Sequence, residues 1–116
     1  MKTLAVGRLY GVNKLGGDEN NARYVFVVGH KNTYKETEGE YAGTYARTPV
    51  EGVCFADTPE KVKFVENTVK PLIAEKGAKD FTPVGMYIRY KNNNYGEGED
   101  RQYNNEWIVE HFMPHL

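Results

Sequence analysis

Apolar and polar residues alternate along most of the chain, a pattern that predicts β-strands. In residues 3–12, Leu4, Val6, Tyr10 and Val12 fall on alternate positions, so this face is expected to meet a core. Residues 22–30 carry apolar side chains on both faces, which favours a central strand covered on two sides. The glycines, aspartate and asparagines of KLGGDENN, between these strands, are typical of a turn.

The middle of the chain predicts a polar connection and two short strands. Residues 31–40 are polar and mostly acidic. Residues 41–47 alternate with period two, and 51–55 form a short apolar strand. Pro49 interrupts them, and because proline cannot donate to a strand ladder, an edge or a bulge is expected there.

The C-terminal part predicts two more strands. Apolar residues alternate in 84–91 and again in 103–113. The polar segment between them, 92–102, is too long for a tight two-residue turn. We therefore expect it to project as a flexible tip.

One segment, beginning after Asp57, carries helix signals. Thr58 suits the N-cap and Pro59 the first helical position. Apolar residues recur at helical spacing at Val62, Val65, Val69, Leu72 and Ile73. Pro71 removes one backbone hydrogen bond, so a kink or a break is expected there.

Together these elements predict the order β-β-β-β-α-β-β. The expected fold is a single α+β domain spanning residues 1–116, with a largely antiparallel sheet and one kinked helix packed on one face. The length of 116 residues and the hydrophobic fraction of 40% suit one core.

Charge and composition exclude several classes of protein. The net charge of −1 argues against a dedicated duplex-DNA binder, which normally carries a clear basic excess. The single cysteine, Cys54, excludes an internal disulfide and a multi-cysteine zinc site. The sequence shows neither a signal segment nor a membrane span, so a cytoplasmic location without membrane contact is expected.

An aromatic and basic stretch lies in the strand at 84–91. Tyr87, Arg89 and Lys91 share one face, and Tyr90 lies on the other. Readers of single-stranded nucleic acid use such faces, because bases stack on aromatic rings while cations hold phosphates. The alternative is a solvated strand face whose side chains pair across strands.

Acidic residues and surface tyrosines favour a different partner. Residues 35–60 carry two basic and six acidic groups, and the 92–102 tip carries Glu97, Glu99 and Asp100, which would repel phosphate. Tyrosine is favoured at protein interfaces. The candidate partner-binding residues are Tyr34, Tyr41, Tyr45, Tyr95, Glu97, Glu99, Asp100 and Tyr103.

Catalytic chemistry has weaker candidates. His30 and His111 would converge as acid and base only if their strands were neighbours. Cys54, flanked by Val53 and Phe55, is expected to be a small core residue. No spacing matches a metal site, and no cofactor is implied.

The sequence therefore predicts a binding protein rather than an enzyme. Our first hypothesis is a small intracellular module that engages another protein of unknown identity, and that inhibits it by occupying a basic or nucleic-acid-binding site. The second is a single-stranded nucleic-acid-binding protein that uses Tyr87, Arg89, Tyr90 and Lys91. The third is a small hydrolase or nuclease that uses His30 and His111. An exposed strand edge also allows a homodimer.

Overall fold

The computed structural model describes residues 2–39, 42–73, 81–95 and 102–115, with the side chains at 92–95 and 102–105 outside the description. The strands are β1 (Lys2–Gly17), β2 (Ala22–Lys35), β3 (Tyr45–Ala56), β4 (Val84–Tyr95) and β5 (Gln102–Met113). Between β3 and β4 lie the α-helix α1 (Pro59–Phe64), a π-helical turn (Val65–Val69) and a 3-10 turn (Lys70–Leu72).

The five strands close into a barrel in the order β1-β2-β3-β5-β4, with β4 returning to β1. β3 and β5 are parallel and meet at Val53 and Ile108, whereas the other neighbours are antiparallel. Closure depends on β1, which exchanges its partner β4 for β2 at Gly7. A Cβ at Gly7 would collide with the Gly29 carbonyl oxygen, so only glycine lets these backbones approach so closely.

The core fills the barrel. Even-numbered residues of β2 point inward, and Tyr24, Phe26 and Val28 are fully buried. Leu9, Met86 and Ile88 join them from β1 and β4. The core therefore lies inside a closed sheet and not between a sheet and a helix.

The helical segment lies over an opening of this barrel. Its valines, Val62, Val65 and Val69, belong to the same buried cluster as the inward-facing residues of the strands. The Tyr24 hydroxyl donates a hydrogen bond to Glu66 Oε1 at 3.0 Å. Since Tyr24 points into the barrel, the segment closes that opening. No helix in the described ranges is long and apolar enough to cross a membrane.

Both ends of the helical segment follow from the sequence. Thr58 Oγ1 accepts a hydrogen bond from the Lys61 backbone N–H at 3.2 Å, and Pro59 is the first helical residue. Regular α-helix ends at Phe64, and the chain becomes extended at Ile73, two residues after Pro71. The irregularity expected near this proline is therefore present.

The fold predicted from the sequence, an antiparallel sheet with a helix on one face, is wrong. The structure is a closed barrel of five strands, and the two short strands predicted around Pro49 are one strand, β3. Pro49 pairs with Gly29 of β2. It is tolerated because the described pairing of β3 with β5 is at Val53, which leaves Pro49 in an edge-like part of the strand.

Two hairpins are longer than the sequence predicts. In β2 and β3 the ladder continues through Lys31–Arg47 to Lys35–Tyr45, so part of the expected polar connection at 31–40 is strand. In β4 and β5 it continues to Tyr95–Gln102, so residues 92–95 and 102 of the expected tip are strand, and 96–101 lie outside the described residues.

Candidate functional site

Side chains of β2 and β3 that point away from the core form a continuous surface, which we call the outer face. Along β2 and β3, residues with odd numbers occupy it, because successive side chains of a strand point to opposite sides. The cross-strand pairs on it are Arg23–Phe55, Val25–Val53, Val27–Glu51, Gly29–Pro49 and Lys31–Arg47.

Tyr10 adds an aromatic ring to the outer face from β1. The register of β1 and β2 shifts between Leu9 and Gly11, so Tyr10 occupies a bulge and leaves the alternation of the strand. Its ring lies over Gly29: a Cβ there would lie 2.5 Å from the ring carbon Cζ and 2.6 Å from Cε2. Tyr10 is 42% exposed, and its ring packs against the backbone beneath it.

A second aromatic ring, Phe55, lies at the other end of the outer face and is 39% exposed. Gly29, which lies under Tyr10, is paired with Pro49 of β3. Phe55 is six positions further along the same strand. At ~3.3 Å per residue this is roughly 20 Å. The two rings therefore mark the ends of an extended surface.

Apart from the exposed Glu51, the floor between the rings is apolar. Val25, Val27 and Val53 point outward and are half-buried. The expectation that β2 is covered on two sides stays a prediction. Its outward valines are partly accessible to solvent, and exposed apolar patches often mark binding sites.

Basic side chains flank the floor at both ends. In the described part of the chain, no carboxylate lies within ion-pair distance of Arg23, Lys31, Lys35 or Arg47, and the ion pairs that do form lie elsewhere. Among the described residues these four charges have no ion-pair partner, which favours an anionic ligand.

Three of these cations, Arg47, Lys31 and Lys35, lie over aromatic rings. Arg47 Nη1 donates to the Gly29 carbonyl oxygen at 3.2 Å, and its Cζ lies 4.7 Å from the centre of the Phe81 ring. Lys31 Nζ lies 4.0 Å from the centre of the Tyr45 ring. Cation–π contacts of this kind limit the freedom of the cations. The hydrogen bond to Gly29 places Arg47 beside that residue, whereas Lys31 is held at Tyr45.

An open groove of about 420 Å³ extends the outer face beyond Phe55 and Arg23, towards the turn between β1 and β2. In that turn the Asp18 carboxylate accepts hydrogen bonds from the backbone N–H groups of Asn20 and Asn21, at 2.8 and 3.1 Å. These two bonds lower the pKa of Asp18 and keep the turn ordered.

The strand face predicted from YIRYK is a separate and less basic surface. Tyr87 is 44% exposed on the outside of β4. Arg89 Nε donates to Glu110 Oε1 at 2.8 Å, so its charge is partly neutralised. Tyr90 is 38% exposed and contacts Trp107, and Lys91 is half-buried. Nucleic-acid binding through these four residues stays a prediction.

The predicted protein-binding residues are only partly described. Tyr34 and Tyr45 are exposed on the hairpin of β2 and β3. Tyr95 and Tyr103 belong to the hairpin of β4 and β5, where their backbones pair with Gln102 and Asn94. Tyr41, Glu97, Glu99 and Asp100 lie outside the described residues. Binding of a protein through this set stays a prediction.

His30 and His111 do not converge. β2 and β5 are not neighbours in the barrel. His30 Nδ1 accepts a hydrogen bond from the Val6 backbone N–H at 3.1 Å, whereas His111 is exposed and pairs with Tyr87 on β4. A bulge at Glu110 gives His111 this outward position, against the alternation read from the sequence.

Cys54 packs against the core as expected. Burial raises the pKa of its thiol to about 11. A catalytic cysteine needs the opposite shift, so this thiol is suited to packing.

Sequence reasoning missed Tyr10, Arg23, Lys31, Arg47 and Phe55 as site residues. Tyr10 was assigned to a core-facing side of β1, but the buried residues of this strand are Ala5 and Leu9, and Tyr10 lies in the bulge. The others carried a visible signal, since Arg23, Val25, Val27 and Lys31 alternate along one face of β2. That signal was read as burial under a second layer.

The order of the strands identifies the architecture. A barrel in the order β1-β2-β3-β5-β4, with the helix between β3 and β4, is the five-stranded Greek-key arrangement of the OB-fold.

Among solved structures, the chain is similar to the small single-stranded DNA-binding protein from Streptomyces coelicolor. The match covers 97% of this chain and 91% of the other, with 10% sequence identity and a TM-score of 0.47. No family model matches the chain. No curated protein matches it either.

Proposed function

We propose that this protein binds single-stranded nucleic acid along the outer face, without catalysing a reaction. The observation that carries the proposal is the exposed Tyr10 ring over Gly29, whose carbonyl oxygen accepts a hydrogen bond from Arg47. Lys31 is the cross-strand partner of Arg47. An exposed ring near cations that have no described ion-pair partner offers both contacts that a nucleotide makes, base stacking and phosphate binding.

Stacking supplies the first part of the affinity. Stacking of a base on an aromatic side chain is worth ~1–3 kcal/mol per base and tolerates any base, since every base has a π-face. Tyr10 and Phe55 are the exposed rings at the two ends of the floor. The valines between them cover the apolar faces of intervening bases.

Electrostatic attraction supplies the second part. Lys31, Lys35 and Arg47 lie at one end of the outer face and Arg23 at the other, while the chain as a whole carries a net charge of −1. The cations are therefore concentrated where the ligand would lie. Binding through them releases counterions and so depends on salt.

Single strands fit this site better than duplexes. In a duplex the bases are stacked on each other, so their faces cannot reach Tyr10 and Phe55. OB-folds in general bind oligonucleotides or oligosaccharides on the face of strands 2 and 3, which agrees with the proposed surface as an analogy at the level of the fold.

A comparison of single-stranded and duplex DNA of the same sequence tests the proposal. In a mobility-shift titration at low salt, we expect the single strand to bind at least ~10-fold more tightly, the equivalent of one stacked base. Equal binding of the two forms, or no binding of the single strand, would overturn the proposal.

A further inference from the structure

Glu51 is an acidic side chain at the centre of a surface whose other charged groups are basic. It points outward from β3, opposite Val27, and is exposed. Within the described ranges it forms no ion pair, so the fold gives no structural reason for this carboxylate.

The register of β2 and β3 places Glu51 diagonally to Gly29, the residue under the Tyr10 ring. Gly29, which lies under that ring, is paired with Pro49, and Glu51 is two residues along the same strand. Diagonal neighbours of this kind have Cα atoms roughly 7–8 Å apart, within reach of a glutamate side chain. A base stacked on Tyr10 would therefore present its edge to the Glu51 carboxylate.

We infer that Glu51 selects among bases, accepting hydrogen bonds from amino groups and disfavouring thymine and uracil. The inference rests on the proposed function. An ionised carboxylate accepts hydrogen bonds and cannot donate them. Cytosine and adenine present an amino donor where thymine and uracil present a carbonyl oxygen, and guanine presents its own amino group on another edge.

The same residue constrains the path of the phosphates. A carboxylate repels phosphate within the Debye length of ~8 Å at physiological salt. The strand is therefore oriented with its bases towards Glu51 and its phosphates towards Lys31, Arg47 and Arg23. The preferred substrate is a single strand with amino-bearing bases and not a thymine or uracil tract.

The test compares oligodeoxycytidine with oligodeoxyuridine, which differ at the hydrogen-bonding edge of the base and have no methyl group to confuse the comparison. Both are about 12 nucleotides long, within the usual range of sites on this fold. The titrations are run at mildly alkaline pH, where cytosine is unprotonated. We expect the wild-type protein to prefer oligodeoxycytidine about fivefold, the discrimination of one net hydrogen bond.

Glu51→Gln removes the selection. An amide offers a donor and an acceptor, so it can satisfy either base, and the preference should fall below about twofold. Glu60→Gln is the matched control, since Glu60 is an exposed glutamate on α1. This variant should keep the wild-type preference.

Three results would overturn the inference. The first is a wild-type protein that prefers oligodeoxyuridine or shows no preference. The second is a Glu51→Gln variant that binds both oligonucleotides more tightly but keeps the wild-type ratio of the two affinities. That result would show that Glu51 repels phosphate and does not discriminate between bases. The third is an absence of binding to either oligonucleotide at low salt, which would overturn the proposed function as well.

Discussion

The ring of Tyr10 covers Gly29 so closely that any side chain at Gly29 would displace it, with the ring carbon Cζ 2.5 Å from the position of a Cβ. The contact joins a bulge in β1 to the ladder of β2 and places an exposed aromatic ring on the outer face. A stacking surface is most effective when its ring is held in place before the ligand arrives.

Gly29→Val should therefore weaken nucleic-acid binding without a change at any charged residue. The new side chain displaces Tyr10, and we expect a loss of ~10-fold in affinity for single-stranded DNA, the equivalent of one stacked base. Gly11→Ala is the control, because a Cβ at Gly11 meets nothing within 4 Å. Equal affinities of the two variants would show that Tyr10 is not a stacking platform.

The basic residues of the outer face should set the salt dependence of binding. Arg23→Ala and Lys31→Ala each remove one phosphate contact, so each should reduce the slope of log K against log salt by ~0.7, the value for single strands. Lys63→Ala, on the exposed side of α1, should keep the wild-type slope. The measurement is a series of titrations at increasing salt, and identical slopes in all four proteins would place the ligand elsewhere.

Strand positions could be predicted from the sequence, because alternation depends on neighbouring residues. Closure of the barrel could not, since it depends on the contact of β1 with β4, and on Gly7 as the residue where β1 changes partners. Single-residue bulges at Tyr10 and Glu110 also reversed the faces expected for parts of β1 and β5. A one-residue bulge moves every later side chain of the strand to the other face. Sequence reasoning that assumes unbroken alternation therefore misses both bulges.

The sequence predicted the type of surface, an aromatic and basic strand face, but not its position in the fold. An aromatic and basic strand face was expected at Tyr87 to Lys91, but Glu110 accepts the hydrogen bond from Arg89 there, and only the fold reveals that partner. On β2 the alternation of Arg23 and Lys31 with valines was visible. Whether such valines meet a second layer or solvent depends on the whole architecture.

The interior of the barrel should not tolerate a methyl group at Gly52. A Cβ there would lie 2.7 Å from Val109 Cγ2 and 3.0 Å from Ile88 Cγ2. We expect Gly52→Ala to lower the free energy of unfolding by ~1–3 kcal/mol, as overpacking of a core does. Urea denaturation measures the change, with Gly16→Ala as the control in open space. A Gly52→Ala protein as stable as the wild type would contradict the packing described for β3 against β4 and β5.

Stability should fall at high pH through Tyr24. Burial raises the pKa of this tyrosine to about 12, and the hydrogen bond to Glu66 acts in the same direction. The unfolded chain has the ordinary value of about 10, so the folded state binds more protons between these values. The stabilisation of the folded state by protonated Tyr24 is therefore complete below pH ~10 and is lost as pH rises towards ~12.

Urea denaturation at several pH values checks this, in a Cys54→Ala background because the pKa of that thiol is also raised, to about 11. We expect the added change Tyr24→Phe to remove most of the remaining decline. An equal decline with tyrosine and with phenylalanine would assign the pH dependence to other groups.

The most direct test of the account is fluorescence anisotropy with a labelled single-stranded oligonucleotide, titrated across a range of salt with the wild type, Tyr10→Ala and Tyr87→Ala. Both tyrosines are about equally exposed, at 42% and 44%, but only Tyr10 lies on the outer face. The account predicts wild-type binding that weakens steeply with salt, a loss of ~10-fold in Tyr10→Ala, and wild-type affinity in Tyr87→Ala. Absence of binding at low salt, or a loss in Tyr87→Ala with Tyr10→Ala unaffected, would contradict it.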